Sequence, residues 1–266
     1  MVDAGFSCPN RDGTKGAGGC IYCDNAAFSP LLKGGIKEQA LQQIERMKRP
    51  PGAVVVYFQP FSNTYGAPER LRKVYAEALA VPGVRAIAVG TRPDCVDGGV
   101  FNVLEELAGS VDVFLELGVQ SANDVTLKRI NRGHGWAETE AAFKLAAAHK
   151  RIFTAAHLII GLPGEGREDA LRTARMTAEL RPHGIKLHHL HVVRNTPLEK
   201  EYREGRVKVL SEAEYTALAV DTIHAFPPDT VLHRLMGETL GEALVTPVWK
   251  RSKQEIASEI LMRVRR

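Results

Sequence analysis

Cys8-Pro9-Asn10-Arg11-Asp12-Gly13-Thr14-Lys15-Gly16-Ala17-Gly18-Gly19-Cys20-Ile21-Tyr22-Cys23 places three cysteines within sixteen residues. Its glycines and Pro9 exclude a regular helix or strand, because glycine costs backbone entropy in either and proline lacks a backbone donor. The segment reads as a loop wrapped around a ligand. Thiolates are soft ligands, and Cys20-Ile21-Tyr22-Cys23 brings two sulfurs to one metal centre across a short backbone, with Cys8 adding a third. A structural zinc site normally closes with four protein ligands, and no histidine lies between Cys8 and His134. An iron–sulfur cluster on three cysteines leaves one iron open for chemistry. A zinc knuckle, or a disulfide with a spare thiol, stands as the bland alternative.

Downstream of this loop the pattern alternates. Ile36 to Arg49 has apolar residues at helical spacing and ends at Pro50-Pro51-Gly52. Val54 to Phe58 is a β-branched and aromatic run of the kind covered on both faces in a parallel sheet. Helices are then expected at Pro68 to Leu79, Val100 to Ala108, Asn123 to Ile130, Glu138 to His149 and Arg167 to Leu180. Strands are expected at Ala86 to Val89, Val113 to Leu117, Phe153 to Ile160 and Ile185 to Val192, with a short first strand in Val2 to Phe6. Such alternation means right-handed crossovers and a parallel α/β sheet, partly or wholly closed. Val231 to Leu235 is a candidate added strand in an otherwise mostly helical C-terminal region, and Ser211 with Glu214 forms a capping box.

In a parallel barrel the groups that meet a ligand lie at the C-terminal ends of the strands. Five successive strand ends turn polar together: Gln59 to Tyr65, Gly90 to Asp94, Glu116 with Gln120 and Ser121, Gly161 to Glu165, and Lys186 with His188, His189 and His191. That coherence outweighs any single member. A buried Glu116 needs a cationic or hydroxyl partner, and a ribose is one such partner. The three histidines lack a neighbouring carboxylate in a metal-site pattern, so they read as ligand contacts.

The 266 residues suffice for one large domain. The net charge of +4 is mild. Basic residues gather near the end, at Lys250-Arg251-Ser252-Lys253 and Arg263-Val264-Arg265-Arg266, as in a solvated terminal helix. No apolar run reaches bilayer length and no signal-peptide pattern opens the chain, so the expectation is a cytoplasmic protein without membrane contact. Four cysteines do not make a disulfide scaffold, and Cys95 reads as a half-buried structural residue.

The cysteine loop resembles the cluster loop of radical S-adenosylmethionine (radical SAM) enzymes. The common loop is Cys-x3-Cys-x2-Cys; the Cys-x11-Cys-x2-Cys spacing here is similar to the branch containing the Elongator catalytic subunit and the YhcC-like bacterial proteins. Ala4-Gly5-Phe6-Ser7-Cys8-Pro9-Asn10-Arg11-Asp12-Gly13-Thr14 carries the likeness to the latter, and Thr91-Arg92-Pro93-Asp94 and Asn131-Arg132-Gly133-His134 extend it.

The resemblance implies a partial six-stranded TIM-type barrel over residues 1–205 with a mostly helical extension over 206–266. It implies a 4Fe-4S cluster on Cys8, Cys20 and Cys23, and S-adenosylmethionine beside Tyr22, Gln120, Ser121, the Gly161 turn and an arginine, Arg129 or Arg132. Gln59, Glu116 and His188 join them as candidate cofactor contacts. It further implies reductive cleavage of the cofactor to a 5'-deoxyadenosyl radical, an electron donor such as flavodoxin or ferredoxin, and transfer RNA (wobble uridine) as the substrate of a transferase. Radical chemistry on a small metabolite or peptide, and a non-catalytic iron–sulfur electron carrier, are the competing readings; a carrier calls for a fourth thiolate.

Overall fold

Val54-Val55-Val56-Tyr57-Phe58 alternates its side chains between two faces, burying Val56 and Phe58 against helices and turning Tyr57 inward. The same division recurs along a sheet of parallel strands in a computed structural model that describes residues 1–29, 32–47, 52–239 and 241–265. The strands are β1 (Val54–Phe58), β2 (Val84–Thr91), β3 (Asp112–Gln120), β4 (Ile152–Ile160), β5 (Gly184–His189), β6 (Val192–Val193), β7 (Val231–Arg234) and β8 (Leu244–Thr246). Six form one sheet in the order β1-β2-β3-β4-β5-β7, every neighbouring pair parallel. The remaining two, β6 and β8, pair antiparallel.

Helices α1 (Asn25–Phe28), α2 (Ile36–Glu45), α3 (Pro68–Leu79), α4 (Gly98–Leu107), α5 (Asp124–Arg129), α6 (Trp136–Ala146), α7 (Arg167–Glu179), α8 (Pro197–Arg203), α9 (Glu212–His224) and α10 (Lys253–Val264) complete the chain. Their starts are locally encoded. Pro68 opens α3, Asp97 accepts from Val100 N at 2.9 Å ahead of α4, and the Ser211–Glu214 capping box closes on both donors at the head of α9. Leu71, Tyr75, Phe101 and Leu104 of α3 and α4 are buried with Phe58, Ile87, Val89, Val113, Leu115 and Leu117 of the sheet in one core. Each such side chain contributes about 1.5–3 kcal/mol of burial.

Three expectations change here. Val2 to Phe6 is not a strand: Val2 alone makes a parallel bridge to Phe58, and Gly5 at φ 64° bends the chain away toward the cysteine loop. The sixth strand of the half-barrel is instead β7, the candidate added strand, which runs beside β5. Ile185 to Val192 is not continuous, because β5 ends at His189 and Val192–Val193 turns off to pair with β8. The expected end of the first long helix at Arg49 and Pro50-Pro51 lies outside the described residues; α2 ends at Glu45. Among the described residues no helix is long and apolar enough to cross a membrane.

Candidate active site

The inner face of the half-barrel is polar. Tyr57, Gly90, Glu116, Gly118, His157, His188 and Arg234 line a cleft that encloses about 930 Å³ with its solvent-open mouth, and the cysteine loop forms its upper wall. Cys8, Cys20 and Cys23 all border this one cleft. Among the described residues no three His, Cys, Asp or Glu side chains are arranged around a single metal ion. Three soft thiol donors on one wall suit an iron–sulfur cluster.

The loop holds its shape through backbone and side-chain bonds that glycine and asparagine make feasible. Gly18 and Gly19 have φ near 79° and 77°, a region other residues rarely adopt. Asn131 Nδ2 donates to Ala17 O at 3.1 Å and Gly19 O at 2.7 Å, while Asn10 Nδ2 donates to Asn131 O at 3.0 Å. Ile21 N donates to Ile130 O at 3.1 Å, and Leu198 N at the head of α8 donates to Ile21 O at 3.0 Å. Arg11 Nη2 reaches Cys23 O at 2.6 Å.

The sulfurs sit in a cationic environment. Arg132 Nη1 lies 3.7 Å from Cys20 Sγ and its Nη2 donates to Gly118 O at 2.6 Å; Asn10 Nδ2 approaches Cys20 Sγ at 3.5 Å. Burial pushes the Cys20 thiol up, yet the charge and hydrogen bond of Arg132, with help from Asn10 and Arg92, bring it below the usual range. Burial dominates at Cys23, which with the neighbouring Cys20 is pushed up to about 11, and also raises Cys8, whose Sγ is 3.2 Å from Ser62 Oγ. Arg92 is fixed by a bidentate pair to Asp94 at 2.8 and 2.9 Å, and Lys15 also contacts Asp94 at 2.8 Å. The donor set thus fits a metal–sulfur cluster: three thiols on one wall, with arginines to balance thiolate charge.

Deeper in the cleft Glu116 meets Lys186 Nζ at 2.5 Å and His157 Nε2 at 3.0 Å. Burial would raise this carboxyl, but His157 and Lys186 together hold it far below the ordinary carboxylate range. Lys186 also stands over the Tyr57 ring at 4.6 Å. Glu116 therefore already has the cationic partner its burial demands. His157 and His188 stack with ring centroids 5.8 Å apart, and burial lowers both below the usual imidazole range.

The remaining sequence-derived candidates divide. Tyr22, Gln59, Gln120, His188 and Arg132 line the cleft. Gln120 enters it because a register shift after Gly118 and a φ of 68° turn the strand end. Ser121, one residue on, faces away: its hydroxyl donates to Glu165, and it also accepts from Asn123 N at 2.9 Å. Arg129 is ion-paired with Glu201 of α8 on the surface, so of the two arginines only Arg132 reaches the cleft. Gly161, at φ 88°, packs against Leu210 rather than bordering the cleft.

His189 and His191 bring their Nε2 atoms within 2.6 Å at an adjoining cavity that also borders Tyr22, Ile159 and Leu190. Sequence reasoning passed over Tyr57, His157, Arg234 and Asn10. A polar-tipped residue inside an otherwise largely apolar strand was the available signal for Tyr57 and His157. Cys95 is buried and not remote: burial, with Asp94 and the nearby Cys8, pushes its thiol up to about 12 against the pull of Arg92 and Ser62. It does not border the cleft.

A parallel half-barrel with three cysteines on the loop above its strand ends defines a class of cluster-dependent enzyme scaffolds. Residues 11–177 match the Radical SAM superfamily and residues 182–266 the Radical_SAM C-terminal domain. The chain belongs to the radical SAM superfamily, whose members bind a 4Fe-4S cluster and S-adenosylmethionine. It is 38% identical over 254 residues to Protein YhcC of Escherichia coli (strain K12), covering 93% of this chain and 81% of that protein. It is 30% identical over 154 residues to the tRNA uridine(34) acetyltransferase of Dehalococcoides mccartyi, covering 56% of this chain and 32% of that protein. Among solved structures, the archaeal Methanocaldococcus infernus Elp3 superposes with a TM-score of 0.70 at 18% identity, covering 85% of this chain and 57% of that one.

Proposed function

We propose that this chain is a radical SAM enzyme that binds its cluster through Cys8, Cys20 and Cys23 and acts on a uridine of transfer RNA. The observation that carries the first part is the convergence of the three thiols on one cleft beside Arg132. The second part is supported by the likeness to the uridine(34) acetyltransferase.

When bound, the cluster and S-adenosylmethionine supply a 5'-deoxyadenosyl radical that removes a hydrogen atom from the substrate. The residues of this chain bind, orient and shield. Arg132 and Asn10 stabilise charge on Cys20 through donors aimed at its sulfur. With Nη1 and Nη2 taken by Cys20 and Gly118 O, Arg132 keeps one unpartnered donor, Nε, for the cofactor's carboxylate. Gln120, projecting from the turned end of β3, and Gln59, whose Oε1 has no partner, offer amides to the cofactor's hydroxyls and amine. Tyr22, held above its usual pKa by burial and by Cys20, stays a neutral aromatic wall beside the cofactor. Filled by cofactor and substrate, the cleft would keep bulk water from the reacting centre. A small ferredoxin or flavodoxin delivers the electron.

The test is anaerobic reconstitution with iron and sulfide, reduction, and assay for 5'-deoxyadenosine. Turnover of S-adenosylmethionine supports the enzyme; a reduced cluster whose electron paramagnetic resonance spectrum ignores the cofactor overturns it in favour of an electron carrier. A deletion strain with an unchanged profile of modified tRNA nucleosides overturns the RNA substrate and leaves a small metabolite or peptide.

A further inference from the structure

We infer that Arg234 is the anchor for an anionic oxygen group, a phosphate or a carboxylate, on the substrate; the inference rests on the enzyme reading above and names what its substrate must carry. Arg234 ends β7, next in register to Lys186, and enters the cleft from the edge of the sheet opposite β1. It borders both the main cleft and the cavity beside His189 and His191.

The other cations of the cleft are committed. Arg92 is held by Asp94, Arg132 by Gly118 O and Cys20, Arg11 by Cys23 O, and Lys186 by Glu116. Glu116 is the one carboxylate among the described residues that line the main cleft, and Lys186 and His157 occupy both its oxygens. Arg234 makes no salt bridge among the described residues, although it is half-buried. Its charge acts on Tyr57, His157, Lys186 and His188, and on Glu238, whose carboxylate is taken by Lys253.

A half-buried guanidinium without a counter-ion is costly, and a planar fork facing an anion makes two charge-assisted bonds. In the same cleft His188 Nε2 is buried without a hydrogen-bond partner, so a bound anion would meet a second unfilled polar group. Arg234 comes from β7, whereas Arg132, Asn10 and the cysteines that would hold the cluster come from the cysteine loop and the segment after α5.

The experiment uses the reconstituted, S-adenosylmethionine-loaded protein under anaerobic calorimetry, with uridine 5'-monophosphate, succinate and neutral uridine as probes. Wild type is expected to bind the phosphate or the carboxylate probe, and Arg234→Gln to bind it at least tenfold more weakly, with Arg234→Lys between them; uridine is expected to bind both proteins alike. Which anionic probe binds assigns the group. Equal anion binding by wild type and Arg234→Gln, or none by wild type, overturns the inference. Loss of the cofactor-induced change in the cluster spectrum on Arg234→Gln also overturns it, by placing Arg234 at the cofactor. If wild type shows no such change either, the enzyme reading fails while the anion titrations still decide the role of Arg234.

Discussion

Lys186 Nζ stands 2.5 Å from Glu116 Oε1, joining two strands across β4 inside the barrel. Both side chains are almost wholly buried, at 9% and 4% exposure. Burial and Arg234 pull Lys186 down despite Glu116, so the pair is favourable for the carboxylate and strained for the ammonium. Removing one partner leaves the other uncompensated. Lys186→Met is expected to cost about 3–5 kcal/mol in urea unfolding, and Glu116→Gln added to it to recover much of that loss. Equal stability of Lys186→Met and wild type would show that the two charges are not coupled.

Gly118 has room for no side chain. A Cβ there would come within 2.6 Å of Arg132 Nη2 and 2.7 Å of Gln120 Nε2. Gly118→Ala should therefore displace Arg132 from Cys20 while leaving the sheet core on the other face intact. The expected result is native circular dichroism with cofactor cleavage reduced by about tenfold or more, because charge-assisted bonds at the site are lost. Full cleavage activity would mean that the placement of Arg132 does not matter.

Asn131 carries the cysteine loop on one side chain while its own backbone sits at φ 53°. Asn131→Gly keeps that backbone and removes both hydrogen bonds; Asn131→Ala adds backbone strain of about 1 kcal/mol or more. Both variants should lose iron to a chelator faster than wild type, the alanine variant fastest. Identical iron loss in all three would remove Asn131 from the loop's support.

Much of this arrangement is local, and so was readable. The β-branched runs, the Pro68 and Ser211 helix starts and the glycine-rich cysteine loop act over a few residues. What could not be read depends on contacts between distant segments. Whether Gln120 or Ser121 enters the cleft turns on a register shift against β4, and whether Arg129 or Arg132 does turns on the backbone reversal at Asn131. Glu116 and Lys186 are 70 residues apart, and only the sheet order makes them partners. The short first strand failed for a similar reason: its apolar residues Val2 and Phe6 are buried in the core without a ladder beyond Val2.

The His189–His191 contact gives stability an acid limit. Burial lowers His189 to about 3, with His191 and Lys253 adding to it, and lowers His191 to about 4, with Lys253 adding. Both folded-state values lie below 6.5, so the unfolded chain takes up protons that the folded chain refuses. The contribution is complete above pH 6.5 and is lost as pH falls toward 4, by about 1.4 kcal/mol per pH unit for each imidazole at most. Urea midpoints between pH 7 and 4.5 should fall more steeply for wild type than for His191→Gln. Parallel slopes would place the acid sensitivity elsewhere.

Cys95 supplies the sharpest test of three thiolates against four. It shares Ser62 with Cys8, yet burial and Asp94 keep its thiol protonated and it does not border the cleft. Cys95→Ala should keep the full iron complement and the spectral response to S-adenosylmethionine, at a stability cost of about 1 kcal/mol for one small buried side chain. Cys20→Ala should lose the brown colour and all cofactor cleavage while remaining folded, because Cys20 is the sulfur that Arg132 and Asn10 both address. If Cys95→Ala loses the cluster as Cys20→Ala does, a fourth sulfur closes the site and no iron is left for the cofactor.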